Sequence, residues 1–287
     1  MLGQTVNAYL KAQGHDVFAT SRKNISTNES SNLIKFDAIS DEVKTLELKK
    51  NNYDFIINCI GIIRHQITDS RESKVNAIHV NSLFPIKLIE ALEGITTKVI
   101  QIGTDCVFSG STGAYSEGSE KDPIDYYGFS KAMGEISSEN QMLLRCSIIG
   151  RENDNFLSLM EWLLRQPLKS VLNGFIDHKW NGLTTLAFSK ILDGVISHDS
   201  FEPGSFHVVP KDQVTKFQLL QLLASTFDRN DLQILPTNSA TPIDRTLTTT
   251  HVRENTRFWE HADYPQIPRI EDMLTEYESY TRNLPSK

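Results

Sequence analysis

A chain of 287 residues, 39% of them apolar, has enough material for one large domain or one and a half. A net charge of −7 without a basic block argues against nucleic acid as a partner, and the longest apolar run, around Ile56 to Ile63, is far too short to span a bilayer. No signal-peptide pattern opens the chain, and three cysteines (Cys59, Cys106, Cys146) without a Cys-x-x-Cys pair point to reduced thiols in a cytoplasmic protein rather than disulfides or a metal centre.

Met1-Leu2-Gly3-Gln4 leads directly into an amphipathic helix over 6–13, closed by Gly14. A short strand follows at 16–20, then Ser21, Arg22 and Lys23, and a polar, loop-like stretch at 24–32. Residues 33–36 read as a strand followed by Asp37, and Ser40 as the cap of a helix running to about 50. The clearest buried strand, 53–61, closes on Cys59, Ile60 and Gly61. A long helix is expected over 72–93, which Pro85 should kink or split. Residues 98–103 form another β-branched run stopped by Gly103, with Thr104 just past it. A loop rich in Gly, Ser, Glu and Pro then leads to a helix capped by Asp125, and 142–149 is a further strand.

From Arg151 the pattern changes. A helix is expected from Asn155-Phe156 to Arg165, a strand and turn at 168–176, a polar-aromatic loop at 178–182, and a helix from Thr184 or Thr185 to about Ser197. A strand at 204–209, a helix at 216–227 and a tail ending in a helix near 270–280 complete the chain. The alternation predicts an α/β fold: a Rossmann-type doubly wound parallel sheet over 1–150, followed by a smaller α/β substrate-binding region over 151–287. No His/Asp/Glu cluster has metal-ligand spacing.

Tyr127 and Lys131 lie four residues apart on one helix and so share a face. An ammonium near a phenol favours the phenolate and should lower its pKa. With the strand-end hydroxyl of Thr104, three groups can meet at one carbonyl oxygen: Tyr127 to give or take the proton, Lys131 to tune it, Thr104 to hold the oxygen. That equipment suits reduction of a ketone by hydride.

Tyr-x-x-x-Lys alone is a weak signal, but the wider set is specific. Gly103-Thr-Asp-Cys-Val-Phe-Ser-Gly110, Tyr115-x-Glu117, Asp122-Pro123 and Tyr127-Gly-x-Ser-Lys131-x-x-Gly-Glu135 resemble the extended short-chain dehydrogenase/reductase family, in the branch that includes dTDP-4-dehydrorhamnose reductase. The resemblance runs over nearly the whole chain and thins after about Phe206. It implies NADPH or NADH as cofactor. Met1-Leu2-Gly3 looks like the last three positions of the family's glycine loop, so the chain is expected to lack roughly ten residues, a first strand and most of that loop, through either a misassigned start or a real truncation.

The resemblance further implies cofactor contacts at Leu2, Gly3, Ser21, Arg22, Asp37, Cys59, Ile60, Gly61, Tyr127 and Lys131, with basic Arg22 leaning towards NADPH. Substrate contacts are implied at Thr104, Asp105, Ile148, Trp180 and Asn181. Ile148 stands where rhamnose-type reductases have a Trp, which leaves the sugar open. Asn76 or Asn81 could reach the catalytic site or serve as structural amides, and Arg245 and Arg253 could meet a diphosphate or be surface charges. The implied reaction is reduction of a nucleotide-linked 4-keto-6-deoxy sugar for a surface polysaccharide, and a homodimer is admitted. Two alternatives remain: a sugar-nucleotide epimerase or dehydratase of the same fold, and a non-catalytic subunit like the regulatory subunit of methionine adenosyltransferase. Cys106 in place of an acid speaks against dehydration, and Arg22 against a tightly held NAD.

Overall fold

The computed structural model describes residues 1–22, 32–152 and 156–283. Lys23, residues 24–31 of the loop expected over 24–32, and Asn155 lie outside them. In chain order the first elements are α1 (Leu2–Ala12), β1 (Ala19–Ser21), β2 (Leu33–Lys35), a 3₁₀ turn (Val43–Leu46), α2 (Leu48–Asn51) and β3 (Phe55–Asn58). Next come α3 (Arg71–Ile78), a π-helical turn (His79–Leu83), α4 (Phe84–Ala91), β4 (Lys98–Ile102), α5 (Tyr126–Met133), β5 (Gln141–Arg145) and β6 (Ile148–Ile149). The second half holds α6 (Leu159–Leu164), β7 (Val171–Phe175), β8 (His178–Trp180), β9 (Leu183–Thr184), α7 (Thr185–Ser197), β10 (Gly204–His207) and β11 (Val214–Thr215). It ends with α8 (Lys216–Thr226), β12 (Gln233–Thr237), β13 (Ile243–Asp244), α9 (Val252–His261) and α10 (Ile270–Arg282).

The main sheet is parallel, in the order β10-β5-β4-β3, and β1 and β2 form a separate parallel pair. Side chains along β4 alternate between two cores, as the period of two requires. Ile100 and Ile102 enter the larger core with α1, α7 and α10, and Val99 enters the smaller one with Phe36, Phe84 and Leu88. Helices cover both faces, so this is a doubly wound α/β fold.

Two expectations are corrected, and the split expected at Pro85 is borne out with a detail added. The helix expected from Ser40 is a 3₁₀ turn and a short α-helix, broken at Glu47 with φ +47°. The break lets Val43, Leu46 and Leu48, which share no single helical face, all reach the smaller core. The long helix at 72–93 does split before Pro85, but through a π-helical turn that widens the backbone by one residue. The polar-aromatic segment at 178–182 contains a strand, β8, held between β11 and β13.

Two devices fix the region past β4. Helix α5 lies so close to the turn after β4 that a Cβ at Gly128 would stand 2.2 Å from the Cys106 carbonyl oxygen and 2.7 Å from Pro123 Cβ. The second is a buried strut between the sheet and the C-terminal half. Arg145, at the end of β5, forks onto Glu135 (Nε to Oε1 3.2 Å, Nη2 to Oε2 2.7 Å) and donates from Nη1 to His207 Nε2 at 2.5 Å. The Nδ1–H of His207 donates to the Thr248 carbonyl at 2.7 Å. The Glu117 carboxylate accepts from His207 N at 2.9 Å and Thr250 N at 2.9 Å.

Burial, then the Arg145 guanidinium, drives His207 from 6.5 down to about 4. Burial alone would raise Glu117, but hydrogen bonds from Thr249, Thr250 and His207 bring it from 4.5 to about 2. Both groups bind protons more readily in the unfolded chain. Stability should therefore fall as pH drops from 6.5 towards 4 through His207, and again from 4.5 towards 2 through Glu117. Denaturant titrations across this range should show the upper limb disappear in His207→Gln. Gly128→Ala should lower the thermal midpoint, with a cost of about 1–3 kcal/mol for overpacking. Gly118→Ala, where nothing lies within 4 Å, should leave it unchanged.

Candidate active site

Thr104 follows β4 directly and is 7% exposed. Its hydroxyl accepts from Cys106 N at 3.2 Å, capping a single 3₁₀ turn (Asp105–Val107), and donates to Asp105 Oδ1 at 3.2 Å. The cap of α5 is the Asp125 carboxylate, which accepts from Gly128 N at 2.8 Å. So docked, α5 brings the Tyr127 phenol beside the Thr104 hydroxyl. One turn further, buried Lys131 donates from Nζ to the Ile102 carbonyl at 2.8 Å. The three candidate catalytic groups share one site, at the C-terminal end of a central parallel strand, where open α/β sheets bind their ligands.

The floor beneath them is a clasp around Asn81. Its Oδ1 accepts from Ile62 N at 2.9 Å, and its Nδ2 donates to the Ile62 carbonyl and to Ser130 Oγ, both at 2.9 Å. Asn81 is therefore the structural amide of the pair considered, joining the loop after β3 to α5.

The electrostatics correct one expectation. Tyr127 is held above, not below, the ordinary phenol value, first by burial and then by Cys106, Asp105 and Asp125, with the Thr104 hydrogen bond opposing them. Lys131 is spent on the Ile102 carbonyl and is itself pushed down by burial. The phenol thus stays protonated at neutral pH. Burial also raises the thiols of Cys59 and Cys106 to about 12, which keeps them protonated beside the site.

Other expected residues lie at neighbouring strand ends. Helix α1 begins beside the end of β3, where a Cβ at Gly3 would meet Cys59 Cβ at 3.3 Å. Leu2 packs on the larger core, and Ile60 and Gly61 continue from Cys59. Ser21 and exposed Arg22 close β1, and Asp37, past β2, accepts from Ile39 N at 3.0 Å. A hollow of about 230 Å³ opens beside Tyr127, lined by Arg64, Thr68, Asp69 and Asp125 among others. Ile148 is half-buried against the larger core, in β6 paired with β9.

Trp180 and Asn181 are not presented to the site as expected. Trp180 is 5% exposed, and its indole N–H donates to Ser147 Oγ at 2.8 Å. Asn181 uses both ends of its amide on the Leu247 backbone, at 2.7 and 2.9 Å. Both are part of the packing that carries the C-terminal half. Two cations lie on this side of the molecule. Arg245 donates from Nε to the Phe108 carbonyl at 2.9 Å and brings Nη1 to 3.9 Å from Cys106 Sγ, and Lys216 opens α8 with Nζ 5.5 Å from the Trp180 ring centre. Sequence reasoning named Arg245 for a diphosphate but missed Lys216, which carries no local motif.

The sequence profile of the RmlD substrate binding domain matches residues 1–257. The probable low-salt glycan biosynthesis reductase Agl14 of Haloferax volcanii is 29% identical over 232 residues, covering 75% of this chain and 73% of that protein. A hypothetical dTDP-4-dehydrorhamnose reductase from Sulfolobus tokodaii superposes with a TM-score of 0.69 at 20% identity, over 88% of this chain and 90% of that one. The dTDP-4-dehydrorhamnose reductase of Bacillus anthracis, solved in complex with NADP, gives a TM-score of 0.70 at 18% identity, over 92% and 98%. These likenesses establish the Rossmann-type fold, and the profile match establishes the family: the chain belongs to the RmlD substrate binding domain family of sugar-nucleotide reductases.

Proposed function

We propose that the protein is an NAD(P)H-dependent reductase of a nucleotide-linked 4-keto-6-deoxy sugar, supplying a surface polysaccharide or glycan from the cytoplasm. The observation that carries this reading is the meeting of Thr104, Tyr127 and Lys131 at the end of β4. The glycan reductase of Haloferax volcanii and the NADP complex of the Bacillus anthracis enzyme support the substrate class and the cofactor. Residues 1–150 would form the cofactor half and 151–287 mainly the substrate half.

The residues present fit a dinucleotide. Helix α1 starts without a side-chain cap or an acidic residue in its first turn, so the N–H groups of Leu2 and Gly3 are available to a phosphate. Ser21, Arg22 and Asp37 sit at adjacent strand ends where an adenosine would lie, and the exposed cation of Arg22 favours a 2′-phosphate. Cys59, Ile60 and Gly61 would pass alongside the cofactor. The reduced nicotinamide supplies the hydride.

This chain's own groups handle the oxygen. The sugar C4 carbonyl would accept from the Thr104 and Tyr127 hydroxyls, which orients it and draws electron density from carbon. As hydride arrives at C4, the oxygen becomes a strong base and takes the phenolic proton, leaving a C4 hydroxyl. A phenol above its ordinary pKa holds that proton until an alkoxide-like oxygen asks for it. The Thr104 hydrogen bond then stabilises the phenolate. Lys131 fixes the helix face through Ile102 and keeps a positive charge one turn away.

Consumption of NADPH should be followed spectrophotometrically with a panel of nucleotide-linked 4-keto sugars. Tyr127→Phe should lower turnover by roughly 10²–10⁴-fold while NADPH binding, followed by fluorescence, stays near the parent's. Unchanged turnover in that variant would remove the proton-donor role.

A further inference from the structure

The segment between β3 and α3 is tied to α5 at two places. The first is the Asn81 clasp, which holds Ile62 by both its N–H and its carbonyl and reaches Ser130 on α5. The second is at the cap of α5. Just past Ile62 runs a single 3₁₀ turn (Arg64–Gln66), closed by Ile63 N donating to Gln66 Oε1 at 3.3 Å. The turn brings Arg64 to Asp125, with Nε 3.2 Å from Oδ2. Beside this tie opens the hollow of about 230 Å³ next to Tyr127, with Arg64 and Asp125 both in its wall. At another part of its rim Lys74 meets Asp69 at 3.4 Å and lies 4.3 Å from the Tyr126 ring centre. A hollow offers no packing of its own, so the charged bridges around it set its width.

The two oxygens of Asp125 have different surroundings. Oδ1 accepts from Gly128 N at 2.8 Å and so starts α5. Oδ2 is buried, accepts no hydrogen bond, and has Arg64 as its ion-pair partner among the described residues. Exposed ion pairs contribute little as a rule. This one differs because the acid side chain is 21% exposed and one of its oxygens is out of water, where a charge needs a partner. The same charge stands near the candidate proton donor. After burial, Cys106 and Asp105, Asp125 is among the groups that disfavour the Tyr127 phenolate. A neutral phenol is indifferent to that opposition, which is felt only as the proton leaves.

We propose that Arg64 is a positioning residue for the reaction: through Asp125 it holds the first turn of α5 in place and offsets the carboxylate's charge as the phenolate forms at Tyr127. The proposal rests on the reductase reading above and deepens it. An interaction that gains strength only as charge develops lowers the barrier without tightening the ground state. The contact is a single N···O approach rather than a fork, so charge counts for more here than guanidinium shape.

The test is a double-mutant cycle of the parent, Arg64→Gln, Asp125→Asn and the double variant, with Arg64→Lys beside it, assayed with NADPH and a nucleotide-linked 4-keto sugar. Asparagine caps helices about as well as aspartate, so Asp125→Asn removes the charge and keeps the cap. Arg64→Gln should lower kcat by roughly 3–10-fold, as coupled neighbours do, with KM for the sugar and NADPH affinity unchanged. Arg64→Lys should recover most of that loss. In the Asp125→Asn background Arg64→Gln should lower kcat no further. Amide hydrogen exchange at Gly128 and Phe129 reads the same tie without substrate. It should quicken by roughly 3–10-fold in Arg64→Gln, and no more in the double variant than in Asp125→Asn. Unchanged kcat or unchanged exchange in Arg64→Gln, an equal loss in both backgrounds, or a loss that falls on KM would each overturn the proposal. A parent that turns over no 4-keto sugar, with exchange behaving as expected, would count against the reductase reading and leave the tie between Arg64 and α5 standing.

Discussion

The site depends on how closely α5 can approach the turn after β4. At Gly128 the helix backbone presses against the Cys106 carbonyl, closer than any side chain would permit. That approach puts a phenol against the Thr104 hydroxyl and drives Lys131 under the Ile102 carbonyl. Burying an ammonium is expensive unless it is hydrogen-bonded. Here the bond comes from a strand-end carbonyl that the sheet ladder has no further use for, so the same placement serves the lysine and finishes the strand. Asn81 and Ser82 anchor the other side of the helix, on Ser130.

The second half of the chain is tied to this centre by charge buried in a few well-bonded groups. Arg145 at the end of β5 is 3% exposed, yet each of its three nitrogens has a partner, and His207 and Glu117 extend the chain of bonds into residues 248–250. Removing one member of such a network strands the others, which makes it a rigid joint. Arg245 shows the opposite condition, a half-buried cation with one nitrogen left without a partner.

Much of this was legible from the chain alone, for definite reasons. Parallel strands buried on both faces leave β-branched runs stopped by glycine, as at Gly103, and Asp125, a favoured N-cap residue, marked the start of α5. What stayed hidden depended on distant partners. The strand at His178–Trp180 exists because β11 and β13 flank it, and nothing in its own polar sequence says so. Trp180 and Asn181 resembled exposed contacts because Ser147 and Leu247, their partners, lie tens of residues away. The Tyr127 shift went the other way from the local rule because burial and nearby acids outweighed a lysine occupied elsewhere.

The π-helical turn at His79–Leu83 has a further consequence. Pro85 cannot offer an N–H to the Asn81 carbonyl, and that freed carbonyl sits where a Cβ on Gly134 would lie only 2.1 Å away. The extra residue in the turn also sets the direction of the Asn81 side chain. Shortening the segment by one position would swing every later side chain about 100° round the helix axis, parting Asn81 from both Ile62 and Ser130. Chain length between Ile78 and Phe84 is thus as tightly constrained as residue identity. Insertions and deletions there would be felt by the phenol and the ammonium on α5, although none of the altered residues touches them.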